Sequence, residues 1–413
     1  MKEGRPREPA PVSSDSAVRV RFSAVPDLDA RTIAAWTNLE QRALEPNAYL
    51  SPSFVLPAIR HLSPRLQPIV CLLETESRGV RDLVGLGVFE AVRYSRRFPL
   101  PHLRAYRSRH SYLSGLLLDP AGAVPAAEAL FRWLQSKHSR WHGLAMDGRF
   151  GDGPGDLALT QAIAACGSTW HENWRTQRAT LIPAQAGEAY LQERLAGGRT
   201  KDLRRRRRRL EEQGSVLWRA LRGPEVTSAC VDRFINLEHR GWKGQEGTSL
   251  RSRPEDEQFF REMIGEFAAR DRAVFTELSV NDMVVASTSN LISGKGGFAF
   301  KLGWHPDYQR VAPGLLNEVE LIRNAPTLFE GLGFVDSGAV EGSFLEELWS
   351  ERRVVVSGAY AATPLARKLL KAMDAARRLK RWGLGLAGVP RGQDRLRPEA
   401  SAAAGRTEAG SGG

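Results

Sequence analysis

Apolar and polar residues recur along this chain with two different periods, and the changes of period mark its elements. Positions 17–23 alternate with a period of two and predict a strand, while 32–43 repeat at helical spacing. Strands are expected over 68–74 and 83–94 as the arms of a hairpin, the second carrying Leu83, Val84, Leu86 and Val88 with glycines between them. A helix over 123–137, a short strand over 143–147, a helix over 157–166 and an extended segment over 169–183 complete the first half.

A basic helix over 189–213 opens the second half, with Gly214 where a helix C-cap belongs. The order then repeats in kind: strand 215–220, helices 226–240 and 254–270, hairpin strands 273–280 and 283–292, and a strand over 297–304. Helix 313–325, strand 334–339, a short helix over 344–350 and strand 354–361 follow. No internal sequence repeat is apparent, yet 413 residues fit two domains of roughly 150–200 residues better than one. The division expected is a first domain over 17–183, a second over 184–363 and a basic amphipathic helix over 364–387. Positions 1–16 and 388–413 lack apolar periodicity and are expected to be disordered.

Charge changes this picture in one respect. Lys and Arg number 59 against 47 Asp and Glu, a net charge of +12. An excess of that size favours polyanionic partners: nucleic acid, anionic lipid or a phosphorylated cofactor. It is concentrated in Arg204 to Arg209 and in the segment 367–397. Leu203 and Leu210 are seven residues apart, so the arginine run reads as the solvated face of a helix docked through those leucines, or as an anion-binding surface. In the helix over 364–382, Leu365, Leu369, Met373, Ala376 and Leu379 share one side, a pattern that suits packing on the protein and an anionic membrane surface equally. Cys71, Cys166 and Cys230 have no paired spacing, which gives neither a zinc site nor a disulfide framework. Without a ~20-residue apolar run or a signal-peptide core, the expected location is the cytoplasm, with peripheral contact at the inner membrane through the last helix.

The strongest local signal is Phe298-Ala-Phe-Lys-Leu-Gly-Trp304, followed by a polar loop and Pro313-Gly-Leu-Leu-Asn-Glu318. A strand thus runs through a loop into a helix whose first residues are Pro and Gly. Proline lacks the N–H that would be orphaned there, and glycine permits close approach of a ligand. The free amides and the positive end of the helix dipole suit a diphosphate, although an ordinary well-capped helix has the same features.

Four further blocks carry a family resemblance. Leu237-Glu-His-Arg-Gly-Trp-Lys-Gly-Gln-Glu-Gly-Thr248, Ala312-Pro313-Gly314, Val335-Asp-Ser-Gly-Ala339 and Leu348-Trp-Ser-Glu-Arg-Arg353 occur in that order. Together they resemble the GNAT acyltransferase superfamily, in the branch of CelD-like cellulose-biosynthesis proteins, distantly related to FemAB-type peptidoglycan transferases. Glu45-Pro-Asn-Ala-Tyr-Leu-Ser-Pro-Ser-Phe54 resembles the N-terminal block of the same branch. Gly338 stands where the branch usually has Cys, and Gln309-Arg-Val-Ala-Pro-Gly314 keeps only part of the superfamily's phosphate loop.

The resemblance implies an α+β fold of tandem GNAT-like domains, each a mixed, splayed sheet flanked by helices, the first one degenerate. It implies acyl-CoA, acetyl-CoA or longer, as co-substrate, with no metal. The pantetheine arm would bond the backbone near Phe300, Lys301 and Leu302, and the diphosphate would sit at Pro313, Gly314 and Leu315. Direct transfer to an amine or hydroxyl needs a proton removed and a thiolate protonated. Asp336, Glu238 and, less directly, Glu277 are candidate bases, and Tyr308 is a candidate acid. Trp242, Lys243 and Trp304 are candidates for the acceptor site, and Arg352 and Arg353 for partners of Asp336 or Glu341. The acceptor expected is a small molecule or glycan precursor such as an amino sugar. Two alternatives stay open at this point: aminoacyl transfer from charged tRNA, as in FemAB relatives, and a non-catalytic scaffold at a membrane polysaccharide synthase.

Overall fold

The computed structural model describes residues 17–77, 79–195 and 198–386; the segments expected to be disordered, 1–16 and 388–413, lie outside them. The first half runs β1 (Arg19–Ala24), α1 (Ala30–Arg42), α2 (Pro52–Pro57), β2 (Ile69–Ser77), β3 (Val80–Val92), β4 (His102–Ala105), β5 (Leu117–Leu118), α3 (Ala123–Gln135), β6 (Gly143–Phe150), α4 (Pro154–Ala165) and β7 (Thr169–Leu181). The second runs α5 (Glu188–Arg194), α6 (Gly198–Glu211), β8 (Val216–Arg222), α7 (Ser228–Arg240), α8 (Trp242–Gln245), α9 (Pro254–Ala268), β9 (Ala273–Val280), β10 (Met283–Ser293), β11 (Gly296–Trp304), α10 (Pro313–Leu328), β12 (Phe334–Asp336), α11 (Leu345–Leu348), β13 (Glu351–Ala361) and α12 (Pro364–Leu386).

Local chemistry sets the helix starts. The Asp29 carboxylate accepts from the Thr32 amide at 2.8 Å, and the Thr227 hydroxyl accepts from the Cys230 amide at 3.3 Å. Such caps contribute about 1 kcal/mol each. In α9, Pro254 begins the helix and Glu255, Asp256 and Glu257 meet the positive end of its dipole. Its buried face is Phe259, Phe260, Met263, Ile264 and Phe267.

In each half, four antiparallel strands are followed by a parallel one: β1-β2-β3-β4 then β6, and β8-β9-β10-β11 then β12. The closing strands are exchanged. β13, the last strand of the second half, pairs with β6 of the first; β7, the last of the first half, pairs with β12 of the second. β7 and β13 also run antiparallel to one another along the whole of β13. The two halves therefore form one continuous sheet. The largest core likewise crosses between them, joining Trp36 and Phe54 of the first half to Phe259, Phe260, Phe298 and Phe300 of the second. Each such side chain contributes roughly 1.5–3 kcal/mol by leaving water. A buried ion pair between Glu40 of α1 and Arg272 adds a polar link.

Several expectations are corrected. The basic helix over 189–213 is broken into α5 and α6, and the strand over 334–339 ends at Asp336, after which Gly338 turns the chain. α12 docks one residue out of the expected phase. Ala366 and Leu370 are buried against β13, with Met373 beside them, while Leu365 and Ala376 are exposed. Asp374 of α12 also bonds His171 of β7 at 2.7 Å. Of the expected stripe, Met373 joins the contact with β13 and Leu369 is half-buried, while the side chain of Leu379 lies outside the described residues.

Candidate functional site

Strand β11 shapes the site. Its register against β10 pairs Lys301 with Ser289 but Ala299 with Asn290, so Phe300 is the extra residue of a β-bulge. Along the other edge, β12 runs parallel to β11 only over residues 296–298. β12 ends at Asp336, opposite Phe298, so β11 continues past the bulge without a strand on that edge. The chain then turns through residues 306–311 and reaches Ala312, a non-glycine residue in the left-handed region at φ 51°. Helix α10 starts at Pro313, and its first intrahelical bond runs from the Leu316 amide to the Ala312 carbonyl. The Gly314 and Leu315 amides precede any intrahelical acceptor. A Cβ on Gly314 would lie 3.5 and 3.6 Å from the Leu302 and Trp304 side chains, ordinary contact distances. Packing within the protein therefore does not demand glycine there.

The base of the opening is filled from the first half. The Tyr112 hydroxyl donates to the Phe300 carbonyl at 2.8 Å, and Arg178 of β7 donates to Asp336 at 2.9 Å and to the Tyr112 carbonyl at 3.3 Å. Farther along, Lys243 donates to the Leu302 carbonyl at 3.0 Å. The expectation that a pantetheine arm bonds the backbone at Phe300 to Leu302 is narrowed accordingly, because the Phe300 and Leu302 carbonyls both serve the protein. Gly338 has φ 62°, and a Cβ on it would fall 2.5 Å from the Tyr112 ring and 2.8 Å from the Ala299 carbonyl. Glycine at this position thus has a steric cause. Gly338→Cys should destabilise the chain by about 2 kcal/mol through left-handed strain and crowding, and adding Tyr112→Ala should recover part of that loss; thermal unfolding of the single and double variants measures both.

On the α7 and α9 face, Glu238 is 2% exposed and accepts from Lys243 at 2.9 Å and from the Leu250 amide at 2.8 Å. Burial pushes its carboxyl up, but the charges of Lys243 and Lys301 and the Leu250 amide outweigh it and hold the group below the ordinary glutamate range. Glu238 is a fixed anion that ties down the loop after α7. That loop needs Gly244, where a Cβ would meet the His239 carbonyl at 1.8 Å. Glu277 is clamped between Arg219 and Arg233, and Asp336 lies wholly inside on Arg178. All three candidate bases are thus held in ion pairs. Arg353 pairs with Glu45 and Asp152, in place of Asp336 or Glu341, and Arg352 donates to the carbonyls of Glu346 and Trp349. Trp242 is half-buried; Trp304 and Tyr308 pack in one small cluster beside α10, and the Tyr308 ring stands 5.7 Å from that of His305. Lys301, half-buried, extends over the Phe300 ring.

α6 packs on the turn 306–311 with Leu210 fully buried and Leu203 half-buried. Its arginines are largely neutralised at close range: Arg205 and Arg206 on Asp202, Arg207 on Glu211 and Glu320, Arg208 on Glu212. Arg204 and Arg209 point outward. Among the described residues, no group of three or more His, Cys, Asp or Glu side chains could hold a metal ion.

A bulged strand ahead of a Pro-Gly helix start agrees with a family match: residues 197–343 match the acetyltransferase (GNAT) domain, and the match is confined to this stretch. Among solved structures the chain is similar to FemX, with a TM-score of 0.51 at 9% identity over 80% of this chain and 95% of that one. At that identity the likeness is one of fold. It also aligns with a tandem GNAT protein from the clavulanic acid biosynthesis pathway (TM-score 0.41, 15% identity, 84% of this chain and 99% of that one). A third alignment is with the C-terminal domain of a putative lysylphosphatidylglycerol synthetase from Agrobacterium fabrum (0.49, 11%, 84% and 96%). No curated protein matches the chain. Sequence reasoning located the GNAT domain's bulged strand and helix start but missed Tyr112, Arg178 and the rest of what the first half contributes. The only signal for these was a cluster of polar side chains, Arg107 to Tyr112, in a stretch without periodicity.

Proposed function

We propose that the chain is an acyl-CoA-dependent N- or O-acyltransferase of the CelD-like branch, acting directly on an amine or hydroxyl of a small-molecule or glycan-precursor acceptor. One observation carries this reading: β11 loses its β12 partner after Phe298, bulges at Phe300 and runs through left-handed Ala312 into a helix whose first amides are unbonded within it. The residues present fit the cofactor. Gly314 and Leu315 offer amides at the positive end of α10 for a diphosphate, and the backbone near Lys301 and Leu302 lies past the end of β12. When bound, acyl-CoA supplies an activated thioester. The chain's own contribution is to hold it, to polarise its carbonyl through a fixed amide, and to orient an acceptor between Lys301, Trp242 and Trp304.

The alternative donor, charged tRNA, draws on the FemX-like fold and on α6 lying against the same turn. Ion pairing within α6 weakens it, since few of the six arginines are left for phosphate. The scaffold reading is weakened by the docking of α12 on β13 through Ala366 and Leu370, and among the described residues no helix is long and apolar enough to cross a membrane. The cytoplasm is the compartment proposed. Thermal shift of the full chain separates these readings. Acetyl-CoA or a longer acyl-CoA at about 100 times its Kd should stabilise the protein by roughly 2.7 kcal/mol. No shift with any acyl-CoA, together with salt-sensitive tRNA binding, would replace this proposal by the alternative.

A further inference from the structure

His110 belongs to none of the groups assigned above. It comes from the first half, on the loop that leaves β4, and ends against the GNAT domain between α9 and the β11 bulge. Its ring lies parallel to that of Phe259, with centroids 5.5 Å apart and planes at 5°, and edge-on to Phe300 at 6.5 Å. The side chain is 12% exposed. Nε2 stands 2.7 Å from Oδ1 of Asp256, on the first turn of α9, and the same oxygen accepts from Arg109 Nε at 2.6 Å. Asp256 stays ionised: burial pushes its carboxyl up, but the hydrogen bonds from His110 and Arg109, with the charge of Arg109, outweigh it and hold the group below the ordinary range.

An ionised carboxylate only accepts, so Nε2 carries the ring proton and Nδ1 keeps its lone pair. Among the described residues, no group hydrogen-bonds Nδ1. Burial, helped by the positive charge of Lys301, pushes His110 down to about 4, so the imidazole is neutral at physiological pH. The charged groups around it are Arg109 and Asp256, Glu255 on the far side of Arg109, and Lys301 on the bulged strand. The other candidate bases are locked in ion pairs, whereas His110 presents an open lone pair beside the bulge.

We propose that His110 is the general base of the GNAT domain, supplied by the first half of the chain, with Asp256 as its positioning residue. This rests on the acyl-transfer reading. Nδ1 takes the proton of the acceptor's amine or hydroxyl as that N or O forms its bond to the acyl carbon. The C–S bond breaks, its electron pair leaves on sulfur, and the imidazolium, steadied by Asp256, returns the proton to the thiolate. The products are the acylated acceptor and the free thiol.

Diethyl pyrocarbonate, which acylates neutral imidazole, tests this on the intact protein when labelled peptides are followed by mass. His110 should label at nearly the same rate at pH 5.5 and 7.5, whereas an ordinary histidine near pKa 6.5 should speed up about tenfold. Saturating acetyl-CoA should slow labelling of His110 at least fivefold. The proposal is overturned if His110 resists the reagent, titrates like an ordinary histidine, or is left unprotected while thermal shift reports acetyl-CoA bound. If acetyl-CoA gives no shift, the acyl-transfer reading fails first and the base falls with it. His110→Gln should lower thiol release from acetyl-CoA, with water as acceptor, about 100-fold while preserving the acetyl-CoA thermal shift. Asp256→Asn should do the same, and Asp256→Glu should restore part of the rate.

Discussion

Asp336→Ala is expected to lower the stability of the chain by about 3–5 kcal/mol, more than Gly338→Cys does. Asp336 has no exposed side-chain surface, and Arg178, 9% exposed, meets it at 2.9 Å. Removing the carboxylate strands a guanidinium whose remaining acceptor is the Tyr112 carbonyl at 3.3 Å and whose Nε is already unpartnered. An uncompensated buried charge costs far more than the intact pair contributes. Position matters as well. The pair bridges β7 and β12, whose ladder consists of Val335 opposite Leu181 and Asp336 opposite Thr180. With so few backbone bonds at this seam, the ion pair fixes the register of the exchanged strand. Guanidinium unfolding of the variant supplies the number, and a loss below about 1 kcal/mol would contradict the argument. Asp336→Leu combined with Arg178→Met removes both charges and keeps the bulk, so it should regain most of the stability. The same variants separate a structural Asp336 from a catalytic one, because thiol release per folded molecule should survive in the double variant.

The exchange that makes this residue so important was not legible in the chain. Periodicity reports whether a segment is strand or helix, and in the second half it does so closely: 273–280 is β9, and 313–325 and 354–361 fall within α10 and β13. Which strand lies beside which is a long-range choice that no local pattern encodes. By sequence, β7 and β13 each look like the closing strand of its own half; in the fold each completes the other. β4 escapes the pattern for a local reason. It spans four residues, between a proline-containing stretch and a run of arginines, too short for alternation to register. The break between α5 and α6 lies beside Gly197 and Gly198, a helix-breaking pair that the sequence does carry and that the continuous basic helix over 189–213 passed over.

The site is legible only where its geometry follows from backbone chemistry. Bulged strand, polar turn and Pro-Gly helix start are consecutive in sequence, so composition and spacing reveal them. Charged side chains in matching blocks are natural candidates for catalysis, but in the fold Glu238, Glu277 and Asp336 are committed to ion pairs with nearby cations. The groups left with chemical freedom, His110 and Lys301, gain it from neighbours in the other half, and sequence offers no measure of that proximity.

Glu318 shows the reverse case, a carboxyl without a cation. It lies on the inner face of α10, fully enclosed, and accepts from the Thr288 hydroxyl at 2.8 Å. Asn317 links that hydroxyl to Thr276 and accepts from the Trp218 indole, so the network beneath α10 is polar but carries no positive charge. Burial therefore pushes Glu318 up to about 7, against the smaller opposing effect of the Thr288 bond. The folded protein holds this proton more tightly than the unfolded chain does. Stability from this group is thus complete below the ordinary glutamate value and is lost as pH rises from about 4.5 through 7. The loss at pH 8 amounts to about 3 kcal/mol. Glu318→Gln keeps an acceptor for Thr288 and cannot ionise. It should match the parent at pH 5, exceed it by up to about 3 kcal/mol at pH 8, and flatten that part of the stability profile; equal pH slopes in the two proteins would refute this. Affinity should follow the same sign. A negative charge on α10 opposes the positive end of the helix dipole at Pro313, so raising the pH should weaken acetyl-CoA binding by the parent more than by Glu318→Gln.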